Sequence, residues 1–281
     1  ELAAEAEGCP VLEDGDVVDP HGDPPAPFED LSAHPEASHQ FMYLTVEKKT
    51  KQDPPPWLNE GTASYFEGCE LKPDGTIIKN KPALNRLREW EYIERSDERH
   101  TLKELVTQPI GQGSYGGSYY AYGWALVYFL NNYEDENGAQ IYREPYLNYL
   151  RSYTKKGPKK QAEAVQEAFD RAERFFVTDV EDPDVRTWQD FEDRWRAYIQ
   201  ELVAESKAGP ELADKLQERC TTYLEREDYG RALIVAEQAD YKRPNDPETW
   251  RLLALAHHGL GHEADAVYWM VRHWEGAWNA G

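Results

Sequence analysis

From Leu31 onward, apolar residues recur at helical spacing in one segment after another. Apart from loops at Pro54–Pro56 and Gly111–Gly117, Glu70–Asn80 breaks the rule. Its Pro73-Asp74-Gly75 core is turn chemistry, and it predicts a small hairpin or excursion. That pattern limits the chain to a mainly α fold with small β content. Helices are predicted from Leu31 to about Lys49, after a Pro54-Pro55-Pro56 break from Trp57 to Gly68, and then over 83–96 and 101–108. Further helices are predicted at 120–133, 142–153, 160–175 and 187–205. Residues 1–30 are rich in Asp, Glu, Pro and Gly and read as an irregular acidic lead-in.

The last quarter of the chain repeats itself. Adding 34 to Leu216, Cys220, Tyr223, Ala232, Ala236 and Ala239 gives Trp250, Ala254, His257, Ala266, Met270 and His273. Small or apolar residues at these offsets mark the close approaches of paired helices, and the period is that of tetratricopeptide repeats. Gly261 falls in the turn of the second copy, and Pro244 and Pro247 fall between the copies. Gly209-Pro210 marks the boundary before them. The organisation read from the sequence is therefore 1–30 lead-in, 31–206 main domain and 207–281 two tetratricopeptide-like hairpins. The helix from Trp188 to Val203 is expected to cap the repeats.

Charge narrows the function classes. The 281 residues hold 53 acidic and 31 basic side chains, for a net charge of -22. Such a surface repels phosphate backbones, which argues against nucleic-acid binding. No apolar run is long enough for a membrane span. Glu1 to Gly8 lack the basic and apolar regions of a signal peptide, and the chain does not begin with Met, so the compartment stays open. Cys9, Cys69 and Cys220 are an odd number with no tight spacing, and they are expected as three buried thiols, with one disulfide plus one free thiol as the alternative.

Three blocks carry chemistry. The first is His34-Pro35-Glu36-Ala37-Ser38-His39-Gln40. In the zinc signature H-E-x-x-H, residues i and i+4 of a helix point the same way, so two imidazoles reach one ion. The Glu between them acts as general base. Here Glu36 and His39 stand in that relation, but Pro35 occupies the first ligand's position and His34 lies one residue early. The second block is Trp57-Leu58-Asn59-Glu60-Gly61-Thr62-Ala63-Ser64-Tyr65-Phe66-Glu67, and the third is Tyr120-Ala121-Tyr122-Gly123-Trp124-Ala125 through Leu130.

In order, approximate spacing and residue type, the three blocks resemble the gluzincin metallopeptidases. They are most similar to a bacterial peptidase-MA-like family of unknown function that is often joined to tetratricopeptide repeats. The resemblance covers about residues 30–205. It implies a zincin-like helical domain, with zinc held by His34, His39 and Glu60, Glu36 as general base and Tyr120 stabilising an oxyanion. It implies a peptide or protein substrate if the chain is active, and it favours an extracytoplasmic location, periplasmic or secreted. The Gly-x-Met-Glu-Asn motif of the aminopeptidase branch is absent, so the resemblance gives no support to exopeptidase activity.

The extra residue leaves two outcomes. Residues five apart on a helix are separated by about 140°, against about 40° for four. Ligation by His34 then needs a π-bulge at this point, or a helix that begins at Pro35 with His34 flanking it. Without either, His39 and Glu60 alone are one ligand short of a catalytic zinc site. The alternative is then a non-catalytic scaffold, a degenerate metal-free domain whose repeats recruit a protein partner or build an oligomer. Gly111 to Gly116 fits G-x-G-x-x-G but follows a predicted helix rather than a strand, which argues against a dinucleotide site and for a loop near the cleft. Asp14–Asp23 lacks calcium-loop spacing. His257, His258 and His262 lie at the repeat turn and are expected on the surface.

Overall fold

A computed structural model describes residues 54–71, 77–78, 81–108, 116–153 and 161–279. The lead-in, the predicted helix from Leu31, and the candidate residues His34, Glu36 and His39 lie outside the described residues. So do Cys9, the acidic stretch at Asp14–Asp23 and most of the Gly-rich segment at 111–116. The described residues belong to one compact unit.

The architecture is mainly helical. Helix α1 is Pro56–Phe66, followed by the strands β1 (Glu70–Leu71) and β2 (Ile77–Ile78). The strands pair antiparallel, Glu70 with Ile78 and Leu71 with Ile77, which is the hairpin that the Pro-Asp-Gly turn predicts. Then come α2 (Leu84–Glu94), α3 (Leu102–Val106), α4 (Ser118–Asn132), α5 (Arg143–Ser152) and α6 (Gln161–Glu173). A π-helical turn, Arg174–Thr178, extends α6 and sinks Phe176 and Val177 into the core. The chain ends in α7 (Trp188–Lys207), α8 (Leu212–Glu225), α9 (Tyr229–Lys242), α10 (Pro247–Gly259) and α11 (Glu263–Asn279).

Helix α4 is the axis of the first part. All residues from Ala121 to Leu130 are buried. A helix apolar on every side has to be surrounded, and α1, α2, α3, α5 and α7 all pack on it. Aromatic side chains fill the spaces. Trp90 meets Trp195 edge-on at 6.0 Å, Phe129 meets Tyr142 at 4.8 Å, and Phe176 stacks on Phe191 at 5.7 Å. One ionic network is buried among them. Arg196 of α7 bonds Glu192 Oε1 at 2.7 Å, the His100 carbonyl at 2.5 Å, and Glu94 of α2. Glu192 in turn accepts the Leu102 amide at 3.1 Å, and Tyr122 donates to Glu94. The network thus ties α2, α3, α4 and α7 together.

A second apolar cluster belongs to α8–α11. Leu216, Cys220, Ala232, Ala236 and Ala239 are buried there, as are Trp250, Ala254, His257 and Ala266, so most offset positions pack as the repetition predicts. The Cys220 thiol meets the Ala232 carbonyl at 3.3 Å, which is the close approach that small residues permit. Met270 and His273, near the chain's end, are half-buried. Both hairpins turn through the same backbone device. In the first, Asp228 N–H bonds Tyr223 O and Glu227 N–H bonds Leu224 O. In the second, His262 N–H bonds His257 O and Gly261 N–H bonds His258 O. These are Schellman closures, with a left-handed residue at the turn: Glu227 at φ 57° and Gly261 at φ 77°.

Helix α7 buries Phe191, Trp195 and Ile199 in the first cluster. It meets the hairpins through ion pairs, Glu205 with Arg219 at 2.5 Å and Glu201 with Lys215 at 3.1 Å. Cys69 and Cys220 are buried, as expected. His257 is a correction. It is 3% exposed, not a surface residue, because the Schellman closure folds the chain back over it.

Candidate active site

The second and third sequence blocks meet. Pro55 caps α1 from outside and Pro56 takes its first position, where a missing N–H costs nothing. Trp57 and Leu58 are then fully buried. Trp57 is held by Tyr149 at 5.6 Å and Phe176 at 6.5 Å. With Trp57 anchored, Gly61, Ala63 and Ser64 face the core and Glu60 lies half-buried on the flank.

Gly61 faces Gly123 of α4. A Cβ on Gly61 would come within 2.5 Å of the Gly123 carbonyl oxygen. Two helices can approach this closely only where neither presents a side chain. The approach brings Glu60 beside Tyr120, whose side chain hydrogen-bonds the Glu60 carboxylate. Burial, the Glu60 charge and that bond raise the Tyr120 phenol above its ordinary pKa, opposed by Arg86. Tyr120 is therefore the neutral donor of the pair.

Arg86 of α2 adds a residue that the sequence motifs do not mark. Its guanidinium lies 5.7 Å from the Tyr120 ring centre. It grips Glu67 through two bonds, Nε to Oε2 at 3.0 Å and Nη2 to Oε1 at 2.7 Å, and Glu89 through a third at 3.0 Å. Glu67 follows directly on α1, so this fork ties the end of α1 to α2. In sequence Arg86 reads as an ordinary polar position of an amphipathic helix, and no local signal distinguishes it. At the start of α4, His100 Nε2 lies 2.8 Å from Ser118 Oγ and its ring stacks on Tyr119 at 4.1 Å.

A half-buried carboxylate oriented by a phenol donor suits the coordination of a divalent cation, because ligating carboxylates are characteristically hydrogen-bonded from behind. The phenol itself can stabilise developing negative charge on oxygen. Of the predicted site residues, the structure brings together Glu60 and Tyr120, while His34, Glu36 and His39 lie outside the described residues.

Residues 32–147 match a family described as protein of unknown function (DUF1570). The matched span holds the His34–His39 segment, α1 and α4, and so all three chemistry-bearing blocks. Comparison with curated proteins and with solved structures gives no match. No helix among the described residues is long and apolar enough to cross a membrane.

Proposed function

We propose that this chain is a zinc-metallopeptidase-like protein, with a gluzincin-type site built across α1 and α4 and completed by the His34–His39 segment. The observation that carries the reading is the pairing of Glu60 with Tyr120. These two residues, sixty positions apart in sequence, were assigned to one site by resemblance, and the Gly61–Gly123 approach supports that assignment. The donor set of two imidazoles, His34 and His39, and the Glu60 carboxylate is of the kind that holds zinc with one position open. Zinc bound there would act as a Lewis acid and lower the pKa of water. Glu36 would take the proton of the attacking water, and the Tyr120 hydroxyl would donate to the oxygen that gains charge at a peptide carbonyl. Elemental analysis of the zinc-loaded protein tests the reading. The zinc attributable to this site is lost in Glu60→Gln and in His39→Ala, and hydrolysis of a denatured protein substrate is lost with it. Zinc content unaffected by either change would overturn it.

A second reading is favoured by α11. Val267, Tyr268, Val271 and Trp274 are exposed along one helical face, Trp274 by 67%. An apolar stripe of this kind supports recruitment of a protein partner through the tetratricopeptide-like hairpins, with the domain before them as a scaffold. Val271→Lys with Trp274→Glu interrupts the stripe without touching Glu60. Partner capture or self-association that survives this change would count against the second reading.

A further inference from the structure

The second hairpin turn gathers a set of metal-binding side chains that the first does not have. In a Schellman closure the third residue from the helix end and the second residue past the turn are brought into contact. In the α8/α9 hairpin those residues are Tyr223 and Asp228, joined by Arg231 of α9. Arg231 lies over the Tyr223 ring at 4.9 Å and bonds Asp228 Oδ2 at 2.5 Å. In the α10/α11 hairpin the same positions, 34 residues on, are His257, His262 and Asp265. The backbone closure is the same, but a packed cation is replaced by two imidazoles and a carboxylate.

The geometry suits a small cation. His257 Nδ1 and His262 Nδ1 lie 3.3 Å apart. Ligands of a tetrahedral zinc ion, with bonds of about 2.05 Å, lie about 3.3 Å from one another. Asp265 Oδ2 is 3.8 Å from His257 Nδ1, and the three ligand atoms fall within 4.8 Å of each other. His257 is buried and fixed in α10, whereas Asp265 is exposed, so its side chain can turn toward the two imidazoles. The backbone bond from His262 N–H to the His257 carbonyl, at 2.9 Å, holds the two imidazole-bearing residues in register before any ion arrives.

We propose that His257, His262 and Asp265 form a binding site for a divalent transition-metal ion of the zinc class, separate from the Glu60 region. The ion would fasten the end of α10 to the first turn of α11, with a fourth position left to water. Its role is to hold the last hairpin closed.

The test uses the full chain carrying Glu60→Gln, so that zinc at the other site does not enter the count. Zinc is titrated against a chromophoric chelator, and the thermal midpoint is followed in parallel. The expected result is one equivalent bound and a raised midpoint. His262→Ala lowers the affinity by at least about tenfold and removes the midpoint shift. Asp265→Asn, at an exposed position, weakens binding without unfolding the chain. His258→Ala, whose side chain pairs outward with Glu263, leaves both readouts unchanged. No zinc bound by the Glu60→Gln chain, or an affinity left unchanged by His262→Ala and by Asp265→Asn, would overturn the proposal. Failure of the reading at Glu60 would alter none of these outcomes.

Discussion

Gly61 and Gly123 touch backbone to backbone, and this contact sets where Glu60 stands relative to Tyr120. It is a contact between peptide groups, so no rotamer change can relieve an added methyl. Gly61→Ala is expected to cost about 1–3 kcal/mol, as overpacking does, and to weaken zinc binding at the proposed Glu60 site. Gly230, with nothing near its Cβ position, is the control. Gly230→Ala in α9 is expected to be neutral or stabilising by up to about 1 kcal/mol. Urea denaturation of the two variants measures the difference.

Arg196 is the second place where one substitution decides a great deal. Removing it leaves Glu94 and Glu192 buried without their shared cation. Breaking a buried pair from one side costs about 3–5 kcal/mol. Arg196→Leu is therefore expected to lower the denaturation midpoint sharply. Arg151→Leu, which removes an exposed pair with Glu144, is expected to stay within about 1 kcal/mol of the parent.

Glu227 occupies the left-handed position that Gly261 fills one repeat later. A side chain there costs about 1–2 kcal/mol, part of which glycine gives back through its freedom in the unfolded chain. Glu227→Gly is expected to stabilise the protein by roughly 0.5–1 kcal/mol. Thermal unfolding checks this, and destabilisation would contradict the turn geometry.

Asp190 gives a pH signature. Bonds from the Thr187 side chain and from the Arg186 and Thr187 amides hold its carboxyl below the ordinary value. A carboxyl depressed in the folded state stabilises above its unfolded pKa, about 3.9, and that contribution is lost as pH falls through the folded value. Stability measured from pH 5 downward should therefore fall more steeply in the parent than in Asp190→Asn. Parallel curves would contradict the capping box at the start of α7.

Much of the fold was legible from periodicity and punctuation. Pro56 and the apolar run at Tyr120–Leu130 mark helices that lie close to their predicted bounds, and the 34-residue offset anticipates Cys220, Ala232, Ala254 and Ala266 in the packed seams. The pairing of Glu60 with Tyr120 was legible only as a resemblance, because nothing local says that Gly61 and Gly123 face each other. Glu192 and Arg196 read as a surface i, i+4 pair, and only the packing of α2 and α3 over them makes the pair a buried one. The burial of His257 escapes the sequence for a related reason. A turn looks exposed in sequence, whereas a Schellman closure covers the residue three positions inside the helix end.

In the proposed function, Glu60 belongs to a zinc centre beside Tyr120. X-ray absorption at the zinc edge of the His262→Ala chain, loaded with no more than one equivalent of zinc, measures it most directly, since the site at Glu60 then contributes most of the signal. The account predicts one zinc with imidazole and carboxylate neighbours, and a changed or vanished spectrum in Glu60→Gln. A His262→Ala chain that holds no zinc, or a spectrum indifferent to Glu60→Gln, would contradict it.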